Sequence, residues 1–249
     1  MTVWALDLDG VIWLGGQAIP GSPEAVALLD AAGVEVCFAT NFSYSPVAEA
    51  EAKLARIGID GRGRVITSAM AAASLIEPRQ TVLLCGGPGV EEALLARGAT
   101  VVREGQADVV VVGYDPAFDY AKLTMAVQAV RAGARFVATN EDPTFPTPQG
   151  LLPGGGSLVA AVAYASQRQP EVAGKPHRPF ADLVRARYGD EGVMVGDQAF
   201  TDGGLAVALG YRFALVLSGV THLSDLPTDP VPDLVGADLA ELVANYCKH

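Results

Sequence analysis

Two carboxylates stand two residues apart in Leu6-Asp7-Leu8-Asp9-Gly10-Val11, where an apolar run gives way to a glycine. Along a strand, residues i and i+2 face the same side. A turn that begins at once curls both groups toward one point. A second pair of acids follows another apolar run, in Val195-Gly196-Asp197-Gln198-Ala199-Phe200-Thr201-Asp202. Hard oxygen donors in such a turn suit Mg²⁺, which takes carboxylates, waters and phosphate oxygens. Thr40-Asn41 closes a third run, with Ser43 just beyond. A hydroxyl and loop amides at a strand end can hold phosphate oxygens, although a helix cap uses the same residue types. Lys175 lies between Gly174 and Pro176, just before a helix-like segment. So placed, it can offset charge on a carboxylate and a phosphate. Taken singly, acids beside glycine are also ordinary turn and cap residues.

The elements that must position these groups alternate along the chain. Short apolar runs predict strands at VWALDLDG, EVCFATN, TVLLCGG, ATVVREG, DVVVVGYD, RFVATN, GVMVGD and RFALVLSG. Several are continuously apolar, as in a parallel sheet covered on both faces. Between them, SPEAVALLDAAG, VAEAEAKLARIG, GVEEALLARG, AKLTMAVQAVRAG, SLVAAVAYASQ and PFADLVRARYG predict helices, many closing on glycine. This alternation predicts an α/β doubly wound parallel sheet. Turn-rich stretches at residues 76–80 and 167–171 suggest seams. The expected organisation is a discontinuous core, residues 1–78 and 171–249, with residues 79–170 inserted as a second α/β unit. The triplet Ala-Thr-Asn occurs at 39–41 and again at 138–140. Both copies end a predicted strand, one in each unit.

Composition narrows the function. The chain has 249 residues and a formal charge of −11, which argues against a nucleic-acid or anionic-membrane surface. No apolar stretch approaches the roughly 18 residues of a membrane helix, and the chain begins on a predicted strand. A soluble cytoplasmic protein is expected. Cys37, Cys85 and Cys247 are few and far apart, so neither a disulfide framework nor a zinc site is expected. His177, His222 and His249 show no metal spacing. Cys85-Gly86-Gly87-Pro88-Gly89 departs from a dinucleotide-binding glycine pattern, because Pro88 removes a backbone donor.

The four pieces occur in one order: DxDG, Thr40, Lys175, GDxxxxD. That order resembles the motifs of the haloacid dehalogenase-like (HAD) hydrolase superfamily. The segments LDLDGVIWLGGQAIPGSPEAVALL, FATNFS, GYDPAFDYAKLTMAV, FVATNEDPTFPTPQGLLPGGGSLVAAV and GKP resemble its subfamily IIA. That subfamily carries a large α/β cap on a Rossmann-like core and includes NagD-like and p-nitrophenyl phosphatases. The resemblance implies a Mg²⁺-dependent phosphatase of a small phosphorylated metabolite, such as a nucleoside monophosphate or sugar phosphate. It implies Asp7 as nucleophile forming an aspartyl-phosphate, and Asp9 as general acid and base. Mg²⁺ is then expected on Asp7, the Asp9 carbonyl and Asp197, with Asp202 behind them. Thr40, Asn41 and Lys175 are expected to grip phosphoryl oxygens. Asn140, Glu141 and Asp142 of the cap are expected to select the substrate. Caps of this kind mediate dimers in relatives, so a homodimer is an expectation. A phosphomutase or a non-catalytic binding protein would use the same fold. Gly203-Gly204 departs from the family pattern and predicts a loosened helix start after Asp202.

Overall fold

The computed structural model of the chain describes residues 2–147 and 150–247; His249 lies outside them. The chain divides into two compact units, one of Met1–Thr40, Ala48–Ile66 and Lys175–His249, the other of Asn41–Val47 and Thr67–Gly174.

In the first unit, the described residues form a sheet in the order Leu234–Gly236, Arg212–Val216, Gly192–Gly196, Val3–Leu6, Glu35–Thr40, Val65–Thr67. Val3–Leu6 runs parallel to both its neighbours, with Ala5 opposite Met194 on one side and Cys37 on the other. Every residue of this strand is buried, which is why its sequence, Val-Trp-Ala-Leu, shows no alternation. From this strand the chain first winds to one side of the sheet, and later returns to build the other. Open α/β sheets bind ligands at the carboxyl ends of the strands where the winding reverses. Asp7 leaves the sheet at that place. Helix Ser22–Ala31 packs against Leu239–Tyr246, and Arg178–Tyr188 against Gly204–Leu209.

In the second unit, the described residues form a sheet in the order Glu171–Val172, Arg135–Ala138, Val109–Val112, Thr81–Cys85, Thr100–Val102. All its pairings are parallel. Leu83, Val110, Val112, Ala126, Val159 and Val162 centre its own core. An antiparallel ribbon, Thr144–Thr147 with Gly150–Pro153, follows the Arg135–Ala138 strand.

The seams in space differ from those expected at 78/79 and 170/171. Helix Ser68–Ser74 packs against helix Pro88–Ala96, and Arg97 Nε donates to the Ile76 carbonyl at 3.2 Å. Residues 67–78 therefore belong with the second unit. Glu171–Val172 pairs with Arg135–Ala138, which moves the return to Gly174. All three cysteines are free thiols, with Cys37 and Cys85 buried. Among the described residues, no helix is long and apolar enough to cross a membrane.

Candidate active site

Asp7 is the first residue beyond Val3–Leu6, and its amide still donates to the Val195 carbonyl at 2.9 Å. The ladder thus fixes the start of the turn. Gly10 follows with φ +83°, and a Cβ there would lie 2.4 Å from Asp197 Oδ2. Only glycine admits both the conformation and the close approach. The turn tightens as the amides of Ile12 and Trp13 both donate to the Leu8 carbonyl.

Lys175 is the anchor of the site. The residue is 98% buried, and its ammonium donates to Asp7 Oδ1 at 2.7 Å, Asp202 Oδ1 at 2.7 Å and the Ala39 carbonyl at 3.0 Å. Burial works against this cation. The Asp202 and Asp7 carboxylates outweigh it, and the ammonium is held above its ordinary pKa. Desolvation pushes the Asp7 carboxyl well above its usual range; Lys175 opposes this, while Asp202 and Asp197 add to it.

Asp197 leaves the neighbouring strand Gly192–Gly196. Its Oδ2 accepts from the Val220 amide at 2.7 Å. Its Oδ1 is buried without a hydrogen-bond partner. Desolvation, and then the charge of Asp202, push its carboxyl up to about 7. Asp202 is wholly buried. Its Oδ2 accepts from the Gln198 amide at 3.1 Å, so both its oxygens are engaged. Gly196 makes room for it, since a Cβ there would lie 2.1 Å from the Asp202 carboxyl carbon.

Asp7, Asp197 and Asp202 each bring a carboxylate oxygen within 4.8 Å of the others. Three acids against one lysine leave a local charge of about −2 when all are ionised. The orphaned Asp197 oxygen and the all-oxygen donor set fit a hard divalent cation. Asp202, with both oxygens taken, fits a place behind the ligands.

Gly203 and Gly204 do not loosen this region. Residues Ala199–Gly203 form one wide helical turn that runs directly into Gly204–Leu209. A Cβ on Gly203 would lie 2.7 Å from Pro230 Cγ, and one on Gly204 would lie 2.6 Å from Pro176 Cβ. The glycines let the helix press against the residue that follows Lys175. Overpacking of this kind costs roughly 1–3 kcal/mol. Gly204→Ala should therefore lower the unfolding free energy by about that much, seen as a lower urea midpoint, and reduce turnover as well, where the helix scale alone predicts stabilisation by about 1 kcal/mol.

Asp9 stands apart from the buried acids. Its side chain reaches solvent, and its Oδ1 accepts from Trp13 Nε1 at 2.9 Å. Desolvation by the surrounding turn still raises its carboxyl, with Lys53 and the Trp13 bond pulling the other way. The Asp9 carboxyl is thus engaged by the indole, while Asp7 belongs to the group it forms with Asp197 and Asp202. Trp13 itself was not among the residues expected at the site. Thr40 is buried at the end of Glu35–Thr40, next to the carbonyl that accepts from Lys175.

In the second unit, the ends of the two Ala-Thr-Asn triplets bond to each other. Asn41 Nδ2 donates to Asp142 Oδ2 at 3.0 Å, and Asn140 Nδ2 donates to the Asn41 carbonyl at 2.8 Å. Ser43 Oγ and Thr139 Oγ1 are 3.2 Å apart. Glu141, between the two cap residues, is half-buried.

Residues 4–100 match the family model of haloacid dehalogenase-like hydrolases, and residues 172–242 match a HAD-hydrolase-like model. The chain is 32% identical to an acid sugar phosphatase of Staphylococcus aureus, over 98% of each chain. The structure of p-nitrophenyl phosphatase from Archaeoglobus fulgidus superposes with a TM-score of 0.90 at 29% identity, covering 98% of both chains. The magnesium complex of a glycerol phosphate phosphatase from Mycobacterium tuberculosis superposes with a TM-score of 0.88 at 35% identity, covering 96% of this chain and 75% of that one.

Proposed function

The chain belongs to the haloacid dehalogenase-like hydrolases, and we propose that it is a Mg²⁺-dependent phosphatase of a small phosphorylated metabolite in the cytoplasm, a sugar phosphate or nucleoside monophosphate. The observation that carries this reading is Lys175, buried between Asp7 and Asp202 beside Asp197. Asp7 attacks phosphorus and forms an aspartyl-phosphate as the ester bond breaks, which divides the hydrolysis into two easier steps. Asp9 gives a proton to the departing oxygen, and then takes one from the water that cleaves the acyl phosphate. Lys175 opposes the protonation of Asp7 that burial favours and, with Thr40 and Asn41, holds phosphoryl oxygens. Asp7, Asp197 and the Asp9 carbonyl would hold Mg²⁺, with Asp202 behind them. The ion supplies positive charge that offsets repulsion between carboxylate and phosphate. We assign the shared chemistry to residues of the first unit together with Asn41, and substrate choice to Asn140, Glu141 and Asp142 of the second. The close packing of the glycines after Asp202 supports a catalytic reading over a non-catalytic relative.

The test is a panel of sugar phosphates, glycerol phosphate, nucleoside monophosphates and p-nitrophenyl phosphate, assayed for released phosphate with Mg²⁺ and with EDTA. Turnover is expected for several esters, with EDTA reducing it at least about 10²-fold, as loss of the main charge-stabilising group would. Absence of turnover of every ester in saturating Mg²⁺ overturns the reading.

A further inference from the structure

Asp9 is the acid that the buried cluster leaves out, and its surroundings are built. Its neighbour Trp13 opens a two-stranded hairpin, Trp13–Leu14 with Gln17–Ala18. The Trp13 carbonyl accepts from the Gly10 amide at 2.7 Å, so the backbone closes back on the residue after Asp9. Trp13 is 96% buried. Lys53, on helix Val47–Arg56, places Nζ 3.7 Å from the ring centroid, a distance at which an ammonium is attracted to the face of tryptophan. The ring is thereby fixed along its backbone and over its face. Its edge is then directed at one oxygen of Asp9.

An exposed aspartate beside a positive-φ glycine has several side-chain rotamers available to it. Indole N–H is a donor only. It therefore selects the rotamer in which Asp9 Oδ1 faces it, and leaves Oδ2 to carry and pass the proton. We infer that Trp13, steadied by Lys53, is the positioning residue that orients Asp9 for proton delivery to the leaving oxygen. This rests on Asp9 acting as the general acid proposed above.

The experiment compares two esters of similar size, p-nitrophenyl phosphate and benzyl phosphate. The first has a stable leaving anion that needs little proton help; the second leaves as an alkoxide and needs it fully. The readout is kcat/KM, which reports the step up to the first irreversible event, with inhibition by inorganic phosphate as the measure of phosphate binding. Asp9→Asn should lower kcat/KM for benzyl phosphate about 10²-fold or more beyond its effect on p-nitrophenyl phosphate. Trp13→Phe, which keeps a ring but loses the donor, should shift the ratio the same way by about tenfold with phosphate inhibition unchanged. Lys53→Met, which leaves the indole and its packing in place, should shift it by about threefold, the share of a cation over a ring. Trp13→Phe added to Asp9→Asn should shift the ratio no further.

If Trp13→Phe and Lys53→Met lower both esters in parallel, or keep the wild-type ratio, the positioning role is overturned. If Asp9→Asn itself keeps the wild-type ratio, the assignment of Asp9 as the acid fails and takes this inference with it.

Discussion

Asp7→Asn should abolish p-nitrophenyl phosphate hydrolysis, with a fall in turnover on the order of 10⁴-fold or more, as loss of a nucleophile does elsewhere, and should leave the fold intact. The carboxamide is nearly isosteric with the carboxylate but is a much poorer nucleophile. It is also neutral, so it escapes the desolvation that pushes the Asp7 carboxyl above its usual range. The lysine does not become an isolated buried charge, because Asp202 Oδ1 remains 2.7 Å from it. The loss of one ion pair and the relief of one buried acid act in opposite directions. The urea midpoint should therefore move little. Steady-state kinetics and urea unfolding on the same preparation check both halves. A variant that still turns over p-nitrophenyl phosphate at a tenth of the wild-type rate would remove Asp7 from its assigned role.

Lys175→Met should behave differently and lose stability as well as activity. Removing one partner of a buried ion pair typically costs about 3–5 kcal/mol, because the charge left behind is uncompensated. Here Asp7 and Asp202 both lose their ammonium, with Asp197 close by. The acids answer by binding protons, and a protonated Asp7 is no nucleophile. Turnover should fall by about 10³-fold or more, a positioning and charge effect of the size reported for electrostatic stabilisers. Lys175→Arg should rescue neither property. A planar guanidinium does not match three acceptors arranged around a compact ammonium. Asp7→Asn added to Lys175→Met should recover part of the lost stability, because one of the stranded acids is gone. Additive losses in that pair of variants would show that the charges do not interact.

The parts of this site that were legible in the sequence are those where strand, glycine and acid follow one another. Asp7 and Asp197 each end a run that is apolar without alternation, which marks a strand covered on both faces. Lys175 was marked by its glycine and proline neighbours. The helix Ser68–Ser74 was not legible. Its Ser-Ala-Met-Ala-Ala-Ala-Ser carries small residues buried almost all round, so no apolar stripe reveals the helical period. The strand Leu234–Gly236 follows the proline-rich segment 227–232 and spans three residues, too short for a periodic pattern. The ribbon Thr144–Thr147 with Gly150–Pro153 carries a proline in each strand, which argues against strands in a sheet interior. A two-stranded ribbon escapes that argument, because among the described residues each strand is paired along one edge alone. The hydrogen bond that holds the Asp9 side chain could not be read. It depends on an indole four residues away and on a lysine from a helix whose sequence is otherwise an ordinary amphipathic pattern.

The bond between Lys175 and Asp7 joins residues 168 apart in the chain. Lys175 is also the first residue of the third segment of its unit, reached after the excursion that ends at Gly174. Contacts of such long sequence separation form late, because the loop they close must be ordered first. On a ribosome, Asp7 emerges early and waits through the synthesis of the whole second unit before its counter-charge exists. Asp197 and Asp202 arrive later still. A nascent chain can thus complete its second unit while holding no assembled set of acids around a lysine. The acids and the lysine thus come together late, when the returning segment closes the central sheet.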